Sequence, residues 1–364
     1  MALLRLSSIG IRIVKAITVL PGTPASVQLD DRPEPQAAAN MLLVQAVALG
    51  VCGTDREIIS GAYGWAPPGK DRLILGHESL GRVLEAPAGS GFSQGDLVVG
   101  IVRRPDPVPC PSCAVGEWDM CRNGQYTEHG IKSIDGFGAE RYRLEPDYTV
   151  KVDPALGMLG VLLEPATILA KAWDHIDRIG GRTRSWSPRT VLVTGAGPVG
   201  LLAALMGRQR GLEIHVLDLA DTGPKPDLVR DLGGTYHART LADDFAPDVI
   251  IECTGALPVL VDVMKRVGSD GIVCLTGVSS SGHPLPFDFG NFNRHAVLNN
   301  TVTFGSVNAN RAHYEAGAAA LAKADRQWLS RMITRRVPLS HWHEAFERRP
   351  EDIKVILQFE SDAA

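Results

Sequence analysis

The stretch TVLVTGAGPVGLLAALMGRQRG, residues 190–211, decides the fold. TVLVTG (190–195) is an apolar, β-branched run of the kind that forms a buried strand, and PVGLLAALMGRQRG (198–211) is a helical pattern. Between them Gly195-Ala196-Gly197-Pro198-Val199-Gly200 spells G-x-G-x-x-G. Gly195 permits the tight turn, Gly197 lets the backbone approach a pyrophosphate, and Gly200 lets the helix lie close on the strand. The helix N-terminus offers free N–H groups and a positive dipole end to the phosphates. A bare tight turn has the same glycine spacing. What separates the two is EIHVLD (213–218), a second strand ending on Asp218, 18 residues after Gly200. A carboxylate there hydrogen-bonds the adenosine ribose and repels a 2′-phosphate, and Leu219, Ala220 and Asp221 include no arginine to receive one. The expectation is a dinucleotide site that prefers NAD and leaves NADP open.

Outward from this unit the alternation continues. DVIIECTG (248–255), LPVLVDVMKRVG (257–268), GIVCLTG (271–277) and TVTFGSV (301–307) read as strand, helix, strand and strand. That pattern predicts an α/β, doubly wound parallel sheet with helices on both faces. Thr254 and Gly277, within these segments, and Asn308 just after them are counted with the cofactor-binding residues. The first 165 residues differ: short apolar runs such as MLLVQAVALGV (41–51) and DLVVGIV (96–102), punctuated by Gly, Pro and Asp, read as irregular β structure. From 310 the tail carries two helical patterns and a last strand, VILQFE (355–360). The expected division is one domain from 1–165 and 309–364, with a dinucleotide-binding domain, 166–308, inserted into it. Residues 1–14 read as a short leader before a first strand at about Lys15 to Leu20, since Arg5, Arg12 and Lys15 break up any signal-peptide core. GGRTRSWSP (180–188) reads as an exposed loop.

Composition narrows the function classes. The chain has 364 residues, 37 basic against 41 acidic, for a net charge of −4. No stretch is basic enough to hold nucleic acid. With 45% hydrophobic and 21% charged residues it can bury a sizeable core. No apolar run approaches the ~20 residues that span a bilayer, so no membrane partner is expected. Six cysteines are too few for a secreted disulfide scaffold. A cytoplasmic home follows, with the clustered cysteines as metal ligands.

Two metal constellations stand out. Cys52 lies in GVCGTDRE and His77 in ILGHESLGRV, 25 residues on. A thiolate and an imidazole on loops beside strands share a Zn²⁺ with a carboxylate, and Glu164 in LLEPATI is the best third ligand. Singly, Cys52 also reads as a small core residue, His77 as a satisfied core histidine and Glu164 as a helix N-terminal acid. The second cluster, Cys110-x2-Cys113-x7-Cys121, has structural-zinc spacing but only three thiolates. Three readings stay open: Asp106 as fourth ligand, a partly filled site, or three free thiols.

Together these motifs resemble the zinc-dependent medium-chain dehydrogenase/reductase superfamily, and in particular its glucose 1-dehydrogenase family. GVCGTDREI (50–58), LILGHESLGRV (73–83), FSQGDLVVGIVRRP (92–105), the EHGI-x4-GF stretch (128–137), LLEPATI (162–168) and the GSVN segment ending at Asn308 carry the resemblance, as does the Arg103-Arg104 pair. It implies a partly open, chaperonin-10-like β-barrel catalytic domain, completed by the tail, beside the Rossmann domain. It implies Cys52, His77 and Glu164 around a catalytic zinc, with Glu78 entering the zinc shell or binding a sugar hydroxyl. Thr54 would stand beside the reacting oxygen, and Glu128 and Asn308 would contact sugar. The implied chemistry is oxidation of the C1 hydroxyl of glucose or a close aldose. Thr54 relays the proton, Glu57 passes it towards solvent, zinc acts as Lewis acid and hydride goes to the nicotinamide. The implied assembly is a homodimer or homotetramer. A polyol dehydrogenase of the same architecture and a non-catalytic NAD sensor are the alternatives.

Other residues read plainly. His341 and His343 in SHWHEAF suit a surface or interface, Cys253 and Cys274 read as core thiols, and Arg335-Arg336 as a solvated helix end.

Overall fold

The computed structural model describes residues 12–279 and 284–359. Most of the expected leader (1–11), and residue 360 at the end of the expected last strand, lie outside the described residues.

Six parallel strands form one sheet in the order Thr235–Ala238, Glu213–Asp218, Thr190–Thr194, Val249–Glu252, Ile272–Leu275, Val302–Gly305. The chain starts in the middle, builds out to one edge, then returns to build the other half. The direction of growth reverses between Thr190–Thr194 and Val249–Glu252, which opens a crevice beyond their carboxyl ends. Successive side chains point to opposite faces: Val191 and Val193 join one core and Leu192 the other. Burial on both faces is why these strands read as continuous apolar runs. The helix Pro224–Asp231 escapes the sequence reading, and the edge strand Thr235–Ala238 and the helix Phe289–Leu298 do so for the converse reason. The strand is polar and largely uncovered, and the second helix has no buried residue.

The β-rich part has a seven-stranded sheet ordered Thr149–Lys151, Leu97–Gly100, Glu78–Glu85, Leu42–Val51, Lys354–Gln358, Ile333–Pro338, with Arg141–Leu144 also paired to Leu42–Val51. Its two end strands do not pair with each other, in keeping with a partly open barrel. Two strands of the tail complete it. This corrects the reading of Arg335 and Arg336: they lie in the strand Ile333–Pro338, not at a helix end. Arg335 grips both carboxylate oxygens of Asp352, at 2.7 and 2.8 Å, and donates to the carbonyls of Glu344 and Glu347. The first strand, Ile13–Val19, sits in a small sheet between Gln28–Pro33 and Leu73–Ile74. A third sheet joins Arg103–Arg104, Thr127–His129 and Ser133–Ile134.

The helix Leu163–Gly180 packs on Arg311–Ala322 and on Pro198–Gln209. Among the described residues the segment Pro154–Gly180 alone has the length and hydropathy of a membrane span, and it is mostly buried in the protein. At its centre Lys171 is buried against Asp119, Nζ to Oδ2 at 2.8 Å, and donates to the Val307 carbonyl at 2.9 Å. Asp119 also accepts from Asn310 at 2.9 Å. The network ties the cysteine lobe to the place where the chain leaves the parallel sheet. Removing one partner strands the other charge, so Lys171→Met should cost about 3–5 kcal/mol, read as a lowered midpoint in chemical denaturation.

Candidate active site

Cys52 precedes the short helix Gly53–Ile59, and its backbone N–H donates to Asp55 Oδ2 at 2.8 Å. The other oxygen of Asp55 lies 3.5 Å from His77 Nδ1, with both side chains buried. The ring also reaches Cys52; the charges of Asp55 and Cys52 hold the imidazole well above its usual pKa although burial opposes this. Donor atoms of Cys52, His77 and Glu78 lie within 4.8 Å of one another. Glu164, second residue of the helix Leu163–Gly180, stands beside this set rather than inside it. Burial pushes its carboxyl up to about 7, against the opposing pull of His77. Both oxygens of Glu78 are held by Lys354 Nζ, at 2.7 and 2.6 Å, in a fully buried pair. No sequence signal announced Lys354, because it is 276 positions away.

These residues fit a zinc ion. The thiolate, imidazole and carboxylate of Cys52, His77 and Glu78 converge, the Glu164 carboxyl beside them is left poorly compensated by burial, and Asp55 Oδ1 lies 3.5 Å from His77 Nδ1, as an outer-shell carboxylate that orients a metal-bound imidazole does. Cys52, His77 and Glu164 could hold the metal, while Lys354 occupies Glu78. The Thr54 hydroxyl lies 3.9 Å from the Cys52 sulfur, and Glu57, three residues on, is exposed.

The structure brings Glu128 and Asn308 together. Glu128 Oε1 accepts from Asn308 Nδ2 at 2.7 Å and from Arg103 Nε and Nη2 at 3.1 and 2.9 Å. Asn308 adopts a left-handed backbone, φ 62°. The Tyr63 phenol, raised first by burial and then by the Glu128 charge, lies near the same carboxylate. Tyr63 and Trp65 form an exposed edge-to-face pair beside it that the sequence reading passed over.

The sulfurs of Cys110, Cys113 and Cys121 lie within 4.8 Å of one another, a set that does not include Asp106. Asp106 is nonetheless adjacent: its backbone N–H reaches the Cys113 sulfur, and its buried Oδ2 has no hydrogen-bond partner. Backbone N–H groups of Arg122 and Cys113 draw the Cys110 thiol down to about 6. An orphaned carboxylate oxygen beside three converging sulfurs fits a closed metal site.

The glycine loop lies at the sheet's crevice. Gly195 has φ 90°, and a Cβ on Gly200 would overlap the Gly195 carbonyl. A Cβ on Gly197 meets nothing within 4 Å, so this face of the loop is open to a pyrophosphate. Asp218 Oδ2 accepts from Ala196 N–H at 2.6 Å and Oδ1 from Leu219 N–H at 2.7 Å. Two basic residues join it from outside the 219–221 stretch: Lys225 Nζ lies 3.7 Å from Asp218 Oδ1, and Arg239 pairs with Asp221 at 3.1 Å. Thr254 bonds its own neighbour Glu252 through hydroxyl and N–H. A side chain at Gly277 would collide with Gly255. These two positions shape the loop opposite the glycine turn.

A β-rich domain with a cysteine–histidine–carboxylate cluster, set against a 3-2-1-4-5-6 parallel sheet, is the architecture of the zinc-dependent medium-chain dehydrogenases. Residues 38–154 match the alcohol dehydrogenase GroES-like domain and residues 157–359 the glucose dehydrogenase C-terminus. The chain is 39% identical over 351 residues to glucose 1-dehydrogenase 1 of Caldivirga maquilingensis, covering 95% of this chain and 99% of that one. It is likewise 39% identical over 358 residues to the glucose 1-dehydrogenase of Thermoproteus tenax, covering 96% and 100%. Among solved structures it is similar to Haloferax mediterranei glucose dehydrogenase in complex with NADP, Zn and gluconolactone, with TM-score 0.88, 30% identity, and coverage of 95% and 99%. The chain belongs to the glucose 1-dehydrogenase family.

Asp55→Asn keeps the shape of the Cys52–His77 corner but removes the charge that orients the ring. Zinc affinity, measured by chelator competition, should fall about 10- to 100-fold.

Proposed function

We propose that the chain oxidises the C1 hydroxyl of D-glucose, or of a close aldose, to the aldonolactone with transfer of a hydride to NAD(P). The observation that carries this is the joint placement of Cys52, His77 and Glu78, with Glu164 beside them and Thr54 next to Cys52, and with Glu128 held by Arg103 and Asn308, in a chain of this family. Zinc at the first set supplies Lewis-acid polarisation of the substrate hydroxyl, and the nicotinamide supplies the hydride acceptor. The protein's own groups do the rest. Thr54 both accepts and donates a hydrogen bond, so it takes the proton of the reacting hydroxyl, and Glu57 at the exposed end of the helix passes it outward. Asp55 fixes the orientation of His77. Lys354 holds both oxygens of Glu78 in place. Glu128 and Asn308 bind sugar hydroxyls on the rim, where a few hydrogen bonds set the preference among polyhydroxylated substrates. Asp106 with Cys110, Cys113 and Cys121 holds a structural zinc.

Asp218 favours NAD, and Lys225 moderates its repulsion of a 2′-phosphate, so NADP is accepted as a second cofactor. A cytoplasmic homo-oligomer completes the reading.

The test is NAD(P)H formation against aldoses and polyols, with and without a zinc chelator. The expected result is chelator-sensitive turnover of glucose with NAD ahead of NADP. Turnover of a polyol alone would sink the glucose assignment. Thr54→Ala should lower kcat by about 10²- to 10⁴-fold. Lys225→Ala should weaken NADP use severalfold while sparing NAD, seen as a change in the ratio of kcat/KM values.

A further inference from the structure

Tyr63 and Trp65 are 41% and 48% exposed and pack edge to face, with ring centroids 5.0 Å apart. Their loop is short and pinned at both ends. On one side Ala62 N–H donates to the Glu57 carbonyl at 3.0 Å, on the helix that starts just after Cys52. On the other, Trp65 N–H donates to the Ile131 carbonyl at 2.9 Å, and the Trp65 carbonyl accepts from Ser133 N–H at 3.0 Å. Between the rings Gly64 has φ 100°, and a Cβ there would be strained and would stand 3.1 Å from Ile58. The two rings are thus placed by backbone, between the metal corner and residues 131–133.

That second anchor is the turn that carries Glu128: the N–H groups of Ile131 and Lys132 both donate to the Glu128 carbonyl, at 3.1 and 2.8 Å. Burial first, then the Glu128 charge, raises the Tyr63 phenol, and Glu57 acts in the same sense, so this ring lies in the field of both carboxylates. The side-chain bonds from Arg103 and Asn308 all fall on Glu128 Oε1, which leaves Oε2 for a hydroxyl. Tyr126, the third aromatic nearby, is already used: the Arg103 guanidinium and the Lys132 ammonium lie 3.7 and 4.0 Å from its ring centre. Among the described residues no cation covers Tyr63 or Trp65 in this way.

Single exposed aromatics call for no explanation. Two rings fixed together beside an open carboxylate oxygen are different, because an apolar wall with a few polar groups at its edge is what a small-molecule site needs. A pyranose has the matching two-sided character. Its hydroxyls lie around the rim, and where they are all equatorial, as in β-D-glucose, the ring faces carry only axial C–H groups. Those hydrogens are attracted to the negative face of an aromatic ring. An open-chain polyol has the hydroxyls without the face. We infer that Tyr63 and Trp65 form a stacking wall for the C–H face of a pyranose whose hydroxyl edge is read by Glu128, and that this wall favours a closed sugar ring over an open chain. The inference rests on the sugar oxidation proposed above.

Two readouts on the zinc-loaded enzyme test it: calorimetric titration with D-glucose and D-glucitol in the absence of cofactor, and steady-state kinetics. Tyr63→Ser and Trp65→Ser should each weaken glucose binding, and raise its KM, by about 3- to 10-fold. Their kcat and their affinity for NAD should hold, as expected when an interaction shared by ground and transition states is lost. Tyr63→Phe, which keeps the ring, should behave as the unaltered enzyme, and D-glucitol should bind the serine variants as it binds the unaltered enzyme. Glucose affinity and KM that are indifferent to both serine variants, or an equal loss for glucitol, would overturn the wall while leaving the reaction intact. A loss in Tyr63→Phe as large as in Tyr63→Ser would assign the effect to the phenol hydroxyl and overturn it as well. Glucose that binds, and binds less well to the serine variants, but is not turned over would sink the proposed reaction and uphold the wall.

Discussion

Glu78 is buried at the metal corner with both oxygens on Lys354, and much of the molecule's layout answers to that pair. An unpaired carboxylate at that depth would cost several kcal/mol, so a cation must reach it. That cation comes from the tail strand Lys354–Gln358, which can deliver it only by lying alongside Leu42–Val51. Gly50, on the strand between, has no side chain because any Cβ would run into the Glu78 carboxylate. The pair also divides labour among the acids. Glu78 is ion-paired with the lysine, whereas burial holds the Glu164 carboxyl up at about 7 against the pull of His77 and Lys354.

The sheet that binds the dinucleotide was the most legible part of the chain, for a physical reason. Its strands are buried on both faces and so declare themselves as apolar runs, and its glycine turn has steric demands that no other residue meets. The edge strand Thr235–Ala238 lacks that burial and stayed invisible. Arg335 misled because a charged dipeptide normally marks a solvated end; here its guanidinium is drawn into the fold by Asp352 and two carbonyls.

The cysteine, histidine and carboxylates of the candidate metal corner stood out as residue types at suggestive spacing, but the groups that surround them did not. Asp55 was overlooked although it sits between Cys52 and Glu57, because nothing local shows that its carboxylate meets His77. Lys225 and Arg239 show the same limit at the ribose end. Reading only the residues after Asp218 suggested an unopposed negative site, while the next helix and the edge strand's end bring two cations back to it. Charge in a folded site is a property of what tertiary structure gathers, and short windows miss it.

The return of the tail also orders events during synthesis. Cys52 and His77 leave the ribosome long before Lys354, which follows them by about 300 residues. Until then Glu78 has no counter-charge, and the sheet that frames the metal corner lacks its strands Lys354–Gln358 and Ile333–Pro338. The parallel sheet, by contrast, draws all six of its strands from residues 190–305 and has its pairing partners in hand earlier. The cofactor half is thus able to condense first, around contacts of shorter range, and the β-rich half waits on the strands Ile333–Pro338 and Lys354–Gln358. A nascent chain stalled shortly before Lys354 would display Cys52 and His77 in a half-built sheet, so the segment around Lys354 closes the corner that the earlier residues begin.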